Sequence, residues 1–229
     1  MKTLDKHIKA EQLRESEKFS EALRLYDEVM VACIETKDYK RIVEVLQGKM
    51  LTYKHLYLNT KKDFYYLLGK GSAKTALTMA KKHKMIGIAN CYFRMGEMEL
   101  AARKINEAEK YFKEAVKRKD KNEAEWGDFI YHLGEVMCEL GKKKQGLRKM
   151  KRGMKHIDMF EGKMDDYVFK VWKSGVLMKI AKVDDKNRKK YMKKAKKIVF
   201  GDERLIIRRK QFSKLAEEME KAKKKRKLV

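Results

Sequence analysis

The spacing of small residues between positions 85 and 157 constrains the fold of this chain more than any other feature. A small residue lies seven positions before a glycine, and further small residues follow that glycine five and twelve positions later. The first copy is Ala89, Gly96, Ala101 and Ala108, and the second is Gly134, Gly141, Gly146 and Gly153. Small residues let two helices approach closely while larger neighbours fill the surrounding space. We therefore predict two helical hairpins that turn at Gly96 and Gly141, where glycine suits a left-handed cap.

Aromatic and long apolar residues occupy the positions between these small residues. They are Tyr92, Met98 and Ile105 in the first copy, and Met137 and Met150 in the second. The combination resembles the tetratricopeptide repeat, a helix–turn–helix unit that stacks with its neighbours. Gly96 and Gly141 are 45 residues apart, against about 34 in the plain repeat, so the resemblance is to the long-helix variants. The second copy departs from the family in having glycine instead of alanine in its second helix, which lowers helix propensity there by roughly 1 kcal/mol per position.

The remaining chain predicts further hairpins of similar length. Predicted turns fall near residues 17, 58, 96, 141 and 184. Between the second and third of these, residues 64–68 predict a short helix and residues 69–72 a turn, with Ser72 capping a helix from 73 to 95. The predicted fold is an all-α, right-handed TPR-like superhelix of about five hairpins and a C-terminal capping helix. It would span residues 1–220, and the basic residues 221–229 would form a disordered tail.

By resemblance, the first helix of each hairpin lines a concave groove that receives a peptide or a partner helix. The residues at these positions are Ile86, Asn90, Phe93, Arg94, Tyr131 and Glu135, followed by Cys138 and Glu139. Asn90 lies where members of the family often use an asparagine to hold a ligand's backbone through two amide hydrogen bonds. The alternative is that Asn90 and Arg94 are ordinary exposed polar residues.

The net charge of +26 is concentrated in the C-terminal part of the chain. Residues 141–229 contain 32 Lys and Arg against 11 Asp and Glu, whereas residues 1–140 contain 27 against 22. This asymmetry predicts an anionic partner, although a lysine-rich proteome would also produce it. The predicted anion-binding residues are Lys142, Lys143, Lys144, Arg148, Lys149, Arg152, Lys193, Lys197, Arg208 and Arg209. Lys223–Lys227 resembles a nuclear-import signal, for a host that has a nucleus.

Residue patterns for catalysis, metal binding and secretion are weak or missing in the sequence. Residues 68–75 resemble a phosphate-binding loop, but Leu68 and Ala73 replace its two required glycines. Three widely separated cysteines predict no disulfide framework and favour a reducing compartment. The five histidines have no metal-site spacing, and no apolar run approaches the about 18 residues of a membrane span. We therefore predict a cytoplasmic, non-catalytic protein without a metal or cofactor.

The main prediction is a protein-interaction module that binds a peptide or partner helix in its groove. An alternative is a protein that associates with RNA or DNA, without sequence preference, through its basic C-terminal half. A third interpretation is the sensor half of a peptide-responsive bacterial regulator. This chain shows no helix-turn-helix pattern for reading DNA, so such a sensor would act through a partner.

Overall fold

The structure is a computed structural model that describes the backbone of residues 3–227 and the side chains of residues 3–222. Within that range the chain forms eleven α-helices and one short 3-10 turn, Asp185–Asn187. The helices are α1 Thr3–Glu15, α2 Phe19–Glu35, α3 Tyr39–Thr60, α4 Asp63–Lys82, α5 Ile88–Ala101, α6 Ile105–Arg118, α7 Glu125–Glu139, α8 Lys143–Asp158, α9 Asp166–Val183, α10 Arg188–Phe200 and α11 Ile206–Lys227. No helix of this part is long and apolar enough to cross a membrane.

Consecutive helices pack as five antiparallel hairpins, α1–α2, α3–α4, α5–α6, α7–α8 and α9–α10, and α11 packs on the last of them. Each hairpin also packs against the next, so the apolar interior runs from one unit to its neighbour. Phe212 and Leu215 of α11 join Leu177 and Val199 and cover the fifth hairpin. The predicted all-α superhelix of five hairpins with a terminal capping helix is confirmed.

The register of the central repeat differs from the predicted one. Gly96 lies inside α5, and the turn of the third hairpin is at Arg103, whose φ is 61°. Gly141, with φ 80°, does occupy a turn as predicted. The structurally matching positions lie 38 residues apart and are Gly96 with Gly134, Ala108 with Gly146, Phe112 with Met150, and Ala115 with Gly153.

The error in register has a simple geometric cause. The predicted alignment is displaced by seven residues, and seven residues make almost two full helical turns. Such a displacement brings small residues back to nearly the same face, so spacing alone does not distinguish the two alignments. The long-helix inference was also wrong for the third hairpin, since α5 and α6 have only 14 residues each. The long helices are α3 with 22 residues and α4 with 20.

Helix α4 contradicts the predicted turn at residues 69–72. It runs without a break from Asp63 to Lys82, and the chain turns later, where Lys84 has φ 49°. Gly69 lies inside this helix and makes room for Met98, since a Cβ at position 69 would lie 2.7 Å from the Met98 sulfur. The hydroxyl of Ser72 donates to the carbonyl oxygen of Leu68 at 3.0 Å, as in a helix interior, and does not cap a helix.

Helices α7 and α8 approach each other through pairs of glycines. A Cβ added at Gly146 would lie 2.5 Å from the carbonyl oxygen of Gly134, and one added at Gly153 would lie 2.5 Å from that of Gly127. The backbones of the two helices are therefore in direct contact, with no room for a side chain between them. The glycines that depart from the family pattern in the second helix are required by this contact.

The last helix continues beyond the predicted domain boundary at residue 220. Helix α11 extends to Lys227, whereas the sequence predicts a disordered tail from residue 221. The side chains of residues 223–229, which include the lysine-rich stretch with the predicted import signal, lie outside the described residues. That signal stays a prediction.

Candidate functional site: the concave face

The first helices of the hairpins, α1, α3, α5, α7 and α9, form the inner, concave face of the superhelix. Along this face α1 packs on α3, α3 on α5, and α7 on α9. Charged side chains on these helices meet one another across the face instead of pointing into solvent.

A three-residue ion cluster joins α3 to α5. The Lys54 ammonium donates to Oε1 of Glu97 at 2.6 Å, and Nη1 of Arg94 donates to Oε2 of the same carboxylate. The side chains of Lys54 and Glu97 are only 14% and 10% exposed. Burial by itself raises the pKa of Glu97, but the adjacent Lys54 and Arg94 outweigh it and hold the pKa well below its usual range. Glu97 therefore stays ionised at neutral pH.

A second set of charges lies on α7 and α9. The Lys179 ammonium contacts Oε1 of Glu135, and the Nδ1 of His132 lies 3.6 Å from a carboxylate oxygen of Asp128. Burial raises the pKa of Asp128 in spite of the nearby His132. Glu135, Cys138 and Glu139 of α7 also line a cavity of about 330 Å³ that faces Lys179 of α9.

Three of the predicted groove residues carry buried polar atoms that have no hydrogen-bond partner in the described part of the chain. They are Oδ1 of Asn90, Nε of Arg94 and Oε2 of Glu135. Most buried polar groups in folded proteins are hydrogen-bonded, so each exception needs an explanation. The concave face thus has two unused acceptors and one unused donor on two neighbouring hairpins.

Three other predicted groove residues, Phe93, Tyr131 and Ile86, do not present their side chains to a ligand in this conformation. Phe93 is 1% exposed and stacks on Phe129 with ring centroids 4.2 Å apart. Tyr131 is also 1% exposed and belongs to the core shared with α9. Ile86 is fully exposed, but it lies in the turn before α5. Phe93 and Tyr131 are therefore core residues in this conformation, whereas the sequence predicts them on the groove.

Sequence reasoning missed several residues of the concave face. Lys54, Glu97, His132 and Lys179 all lie on it, and Arg208 reaches it from α11. The Arg94–Glu97 pair could have been found, because residues three apart on a helix are neighbours. Lys54 and Lys179 contact residues of other helices, which only the packing of the superhelix brings near. No local pattern in the sequence predicts these contacts.

The concave face is partly covered by the two ends of the superhelix. The guanidinium of Arg208 lies 3.3 Å from where a Cβ on Gly175 of α9 would be. Its charge also acts on the pKa values of Lys54 and Asp128, so it sits near both α3 and α7. The hydroxyl of Tyr167 on α9 donates to Oε2 of Glu15 on α1 at 2.7 Å.

His55 of α3 lies under this cover and predicts a pH dependence of stability. Its ring stacks on Phe19, and burial, with the charges of Lys54 and Arg14, lowers its pKa from 6.5 to about 3. Between these values the unfolded state binds a proton that the folded state does not. Stability is therefore complete above pH 6.5 and is lost as the pH falls towards 3.

We expect His55 to account for a loss of about 1–2 kcal/mol in the free energy of unfolding between pH 7 and pH 5. Urea unfolding at the two pH values measures it, and His55→Gln should reduce the difference by this amount. His7, whose pKa burial also lowers from 6.5, contributes to what remains. The lowered pKa of Glu97 acts only below its usual value of 4.5, outside this window. An equal pH dependence in the wild type and in His55→Gln would show that His55 is accessible to protons.

The predicted anion-binding residues do not form one surface. Lys142, Lys143, Lys144, Arg148, Lys149 and Arg152 lie on or beside α8, and Lys193 and Lys197 lie exposed on α10. Arg208 instead belongs to the concave face. Arg209 donates through Nε to the carbonyl oxygen of Val199 at 3.2 Å and lies over the ring of Phe200. Arg208 and Arg209 are neighbours in the sequence of α11, but their side chains do not contribute to the same surface.

The fold class of the chain is shown by its similarity to solved protein structures. No protein-family model and no curated protein matches the chain. Among solved structures, BtubC (BKLC) from P. vanneervenii matches with a TM-score of 0.59 and 18% identity, covering 83% of this chain and 77% of BtubC. A putative kinesin light chain from Podosopora anserina with nearly identical TPR-like repeats matches with a TM-score of 0.53 and 8% identity, covering 90% and 94%. The chain has a TPR-like fold.

A second structure of that kinesin light chain, of a single-residue variant, also matches the TPR-like chain, with a TM-score of 0.55 and 8% identity. The match covers 85% of this chain and 93% of the variant. At such identities the likeness concerns the fold alone. Groups of three or more side chains that could hold a metal ion are absent from the described residues.

Proposed function

We propose that this TPR-like protein is a non-catalytic interaction scaffold that binds a peptide or partner helix against its concave face. The observation that carries the proposal is the set of unpartnered polar atoms on Asn90, Arg94 and Glu135. The same three residues were predicted to contact a ligand from the sequence alone. An unsatisfied buried polar group costs about 1–3 kcal/mol. Among the described residues five side-chain atoms are of this kind; three lie on this face, and the other two belong to Glu109 and Trp126.

The chemistry of these atoms fits a peptide backbone. Oδ1 of Asn90 and Oε2 of Glu135 accept hydrogen bonds, and Nε of Arg94 donates one. A peptide backbone supplies donors and acceptors in alternation, so it can satisfy both kinds of group at once. In the surrounding cluster two cations, Lys54 and Arg94, share the one carboxylate of Glu97, so the cluster carries one net positive charge. The Nε–H of Arg94 is the donor left over for a backbone carbonyl oxygen.

The proposal is tested by selecting peptides from a random library on the wild-type chain and measuring their affinity for variants. We expect Asn90→Ala to weaken the best peptide about tenfold, as loss of one or two hydrogen bonds of about 1 kcal/mol predicts. Asn106→Ala is the matched control, because Asn106 is exposed on α6, outside the concave face. Circular dichroism and melting temperature confirm that both variants fold. Equal affinities for Asn90→Ala and Asn106→Ala would place the binding site elsewhere.

A second candidate function is binding of nucleic acid, favoured by the basic surface of α10. We call this the basic face and define it by Lys189, Lys190, Lys193, Lys194, Lys196 and Lys197. Among the described residues, none of these lysines has an acidic side chain within 4 Å, whereas Lys143 and Lys151 of α8 pair with Asp185 and Asp184. Lysine contacts phosphate as a point charge and does not read bases.

Nucleic-acid binding predicts a steep salt dependence. A 30-nucleotide RNA should lose affinity about tenfold or more between 50 and 200 mM salt. Lys193→Glu combined with Lys197→Glu should abolish its binding, while the peptide affinity stays unchanged. Electrophoretic mobility shift measures the first and fluorescence anisotropy the second. RNA binding that persists at high salt, or that survives the double variant, would exclude the basic face.

A further inference from the structure

Two polar contacts join the two ends of the superhelix. Tyr167 of α9 donates to Glu15 of α1 at 2.7 Å, and the Lys210 ammonium of α11 contacts the carboxylate of Glu17 in the α1–α2 turn. We call these two interactions the end contact. They join residues that are 152 and 193 positions apart in the chain.

The end contact lacks the apolar packing that joins neighbouring hairpins. The apolar cluster of the first hairpin contains Ala10, Tyr26 and Val29 and reaches α3 and α4. The cluster under α11 contains Leu177 and Phe212 and reaches back only to α8. No apolar cluster of the described residues includes side chains from both ends. The Lys210–Glu17 pair contributes little stability because Lys210 is 66% exposed. The half-buried hydrogen bond from Tyr167 to the Glu15 carboxylate is the stronger part of the end contact.

From this geometry we propose that the end contact is a latch that closes the concave face and that must open to admit a ligand. The latch holds α1 and the α1–α2 turn against α9 and α11, and Arg208 lies on the inner side of this closure. Repeat proteins contact mainly their sequence neighbours, so a superhelix can open without unfolding its units. This inference rests on the proposed function, because it concerns access to Asn90, Arg94 and Glu135.

The closed state also accounts for the burial of the polar atoms of the predicted groove. Oδ1 of Asn90 and Oε2 of Glu135 have almost no access to solvent in this conformation. A ligand cannot satisfy them unless the concave face widens. The buried ion pair of Lys54 and Glu97 joins α3 and α5, which pack on each other, so it need not separate when the ends move apart.

The test compares a latch variant with a matched control. The latch variant combines Tyr167→Phe, which removes the donor to Glu15, with Lys210→Glu, which places two carboxylates together at Glu17. The control combines Tyr65→Phe with Lys214→Glu, which removes one phenol and reverses one exposed charge on α11 away from the contact. Melting temperature and circular dichroism confirm that both variants are folded.

The first measurement is the distance between the two ends, which needs no ligand. Spin labels are attached through p-acetylphenylalanine at Ser20 of α2 and Lys196 of α10, so that the native cysteines stay unmodified. We expect pulsed electron paramagnetic resonance to show one narrow distribution of label-to-label distances in the wild type and in the control. In the latch variant we expect a broader distribution, shifted to longer distances by at least about 5 Å, roughly the pitch of one helical turn. An unchanged distribution in the latch variant overturns the proposal.

The second measurement is access to the concave face. Asn90→Cys is introduced into both backgrounds, and its reaction with N-ethylmaleimide is followed by tandem mass spectrometry. Fragment ions separate a label at position 90 from one on the adjacent Cys91, and peptide masses separate it from Cys33 and Cys138. We expect at least tenfold faster modification in the latch background than in the control. A wider distance without faster modification overturns the role of the latch in access. Both changes without any peptide binding would support the latch and exclude the proposed function.

Discussion

Gly146→Ala is expected to lower the free energy of unfolding by about 2–4 kcal/mol. The added methyl group would lie 2.5 Å from the carbonyl oxygen of Gly134 and 2.8 Å from the backbone nitrogen of Cys138. Neither atom can move without separating α7 from α8, the most closely packed helices of the superhelix. The substitution loses stability even though alanine is the better helix former by about 1 kcal/mol. Urea unfolding followed by far-ultraviolet circular dichroism measures the change.

Gly71→Ala is the matched control for this prediction. Gly71 also lies inside a helix, α4, but an added Cβ would meet nothing within 4 Å. Only the gain in helix propensity remains, so we expect the free energy of unfolding to rise by about 0.5–1 kcal/mol. A loss below about 1 kcal/mol for Gly146→Ala, or a similar effect at both positions, would contradict direct backbone contact between α7 and α8.

Glu97→Ala is expected to lower the free energy of unfolding by about 3–5 kcal/mol. The substitution leaves the ammonium of Lys54 and the guanidinium of Arg94 largely buried without a counter-charge. Part of the gain from an ion pair is cancelled by desolvation, but removing one partner leaves the full cost of burying the other. Chemical unfolding at pH 7 measures the effect, because Glu97 is ionised there.

Asp27→Ala tests whether burial is the reason for this large effect. Asp27 accepts from Lys49 at 2.6 Å, the same distance as in the Lys54–Glu97 pair, but the Asp27 side chain is 62% exposed. Exposed pairs contribute about 0–1 kcal/mol. Comparable losses for Glu97→Ala and Asp27→Ala would mean that the concave ion cluster is open to water, against the closed face described above.

Sequence reasoning was most successful where a residue's role is local. Met98, Met137 and Met150 were assigned to the space around the small residues of the central repeats, and all three are buried. Gly141 was assigned to a turn and has the expected positive φ. Such positions are determined by the packing of one hairpin, which a period of three to four residues describes well.

Sequence reasoning was least successful for glycines that make room for a neighbouring side chain instead of forming a turn. Gly69 and Gly96 both lie inside helices and make room for Met98 and Phe112. A glycine at a turn and a glycine under a large side chain look alike in one sequence, because both positions exclude a Cβ. The correct period of 38 residues becomes evident only when Arg103 is recognised as the left-handed residue of the third turn.

Asn90, Arg94 and Glu135 were named as groove residues from the resemblance, and each carries a buried polar atom without a hydrogen-bond partner among the described residues. Their contact with a ligand stays a prediction. Closure of the face was not predicted, since it depends on how much each hairpin rotates relative to the next. That rotation sums over five units and brings Glu15 to Tyr167, a contact for which the sequence has no local signal.

The most direct test of the central claim is a nuclear magnetic resonance titration of the chain with a selected peptide. The side-chain amide of Asn90 and the Nε–H of Arg94 give signals of their own, which report hydrogen bonding at the atoms in question. Binding at the concave face predicts that both signals shift in proportion to occupancy, while the amides of α10 stay unchanged. Shifts confined to α10, with the Asn90 and Arg94 signals unmoved at saturation, would contradict the account.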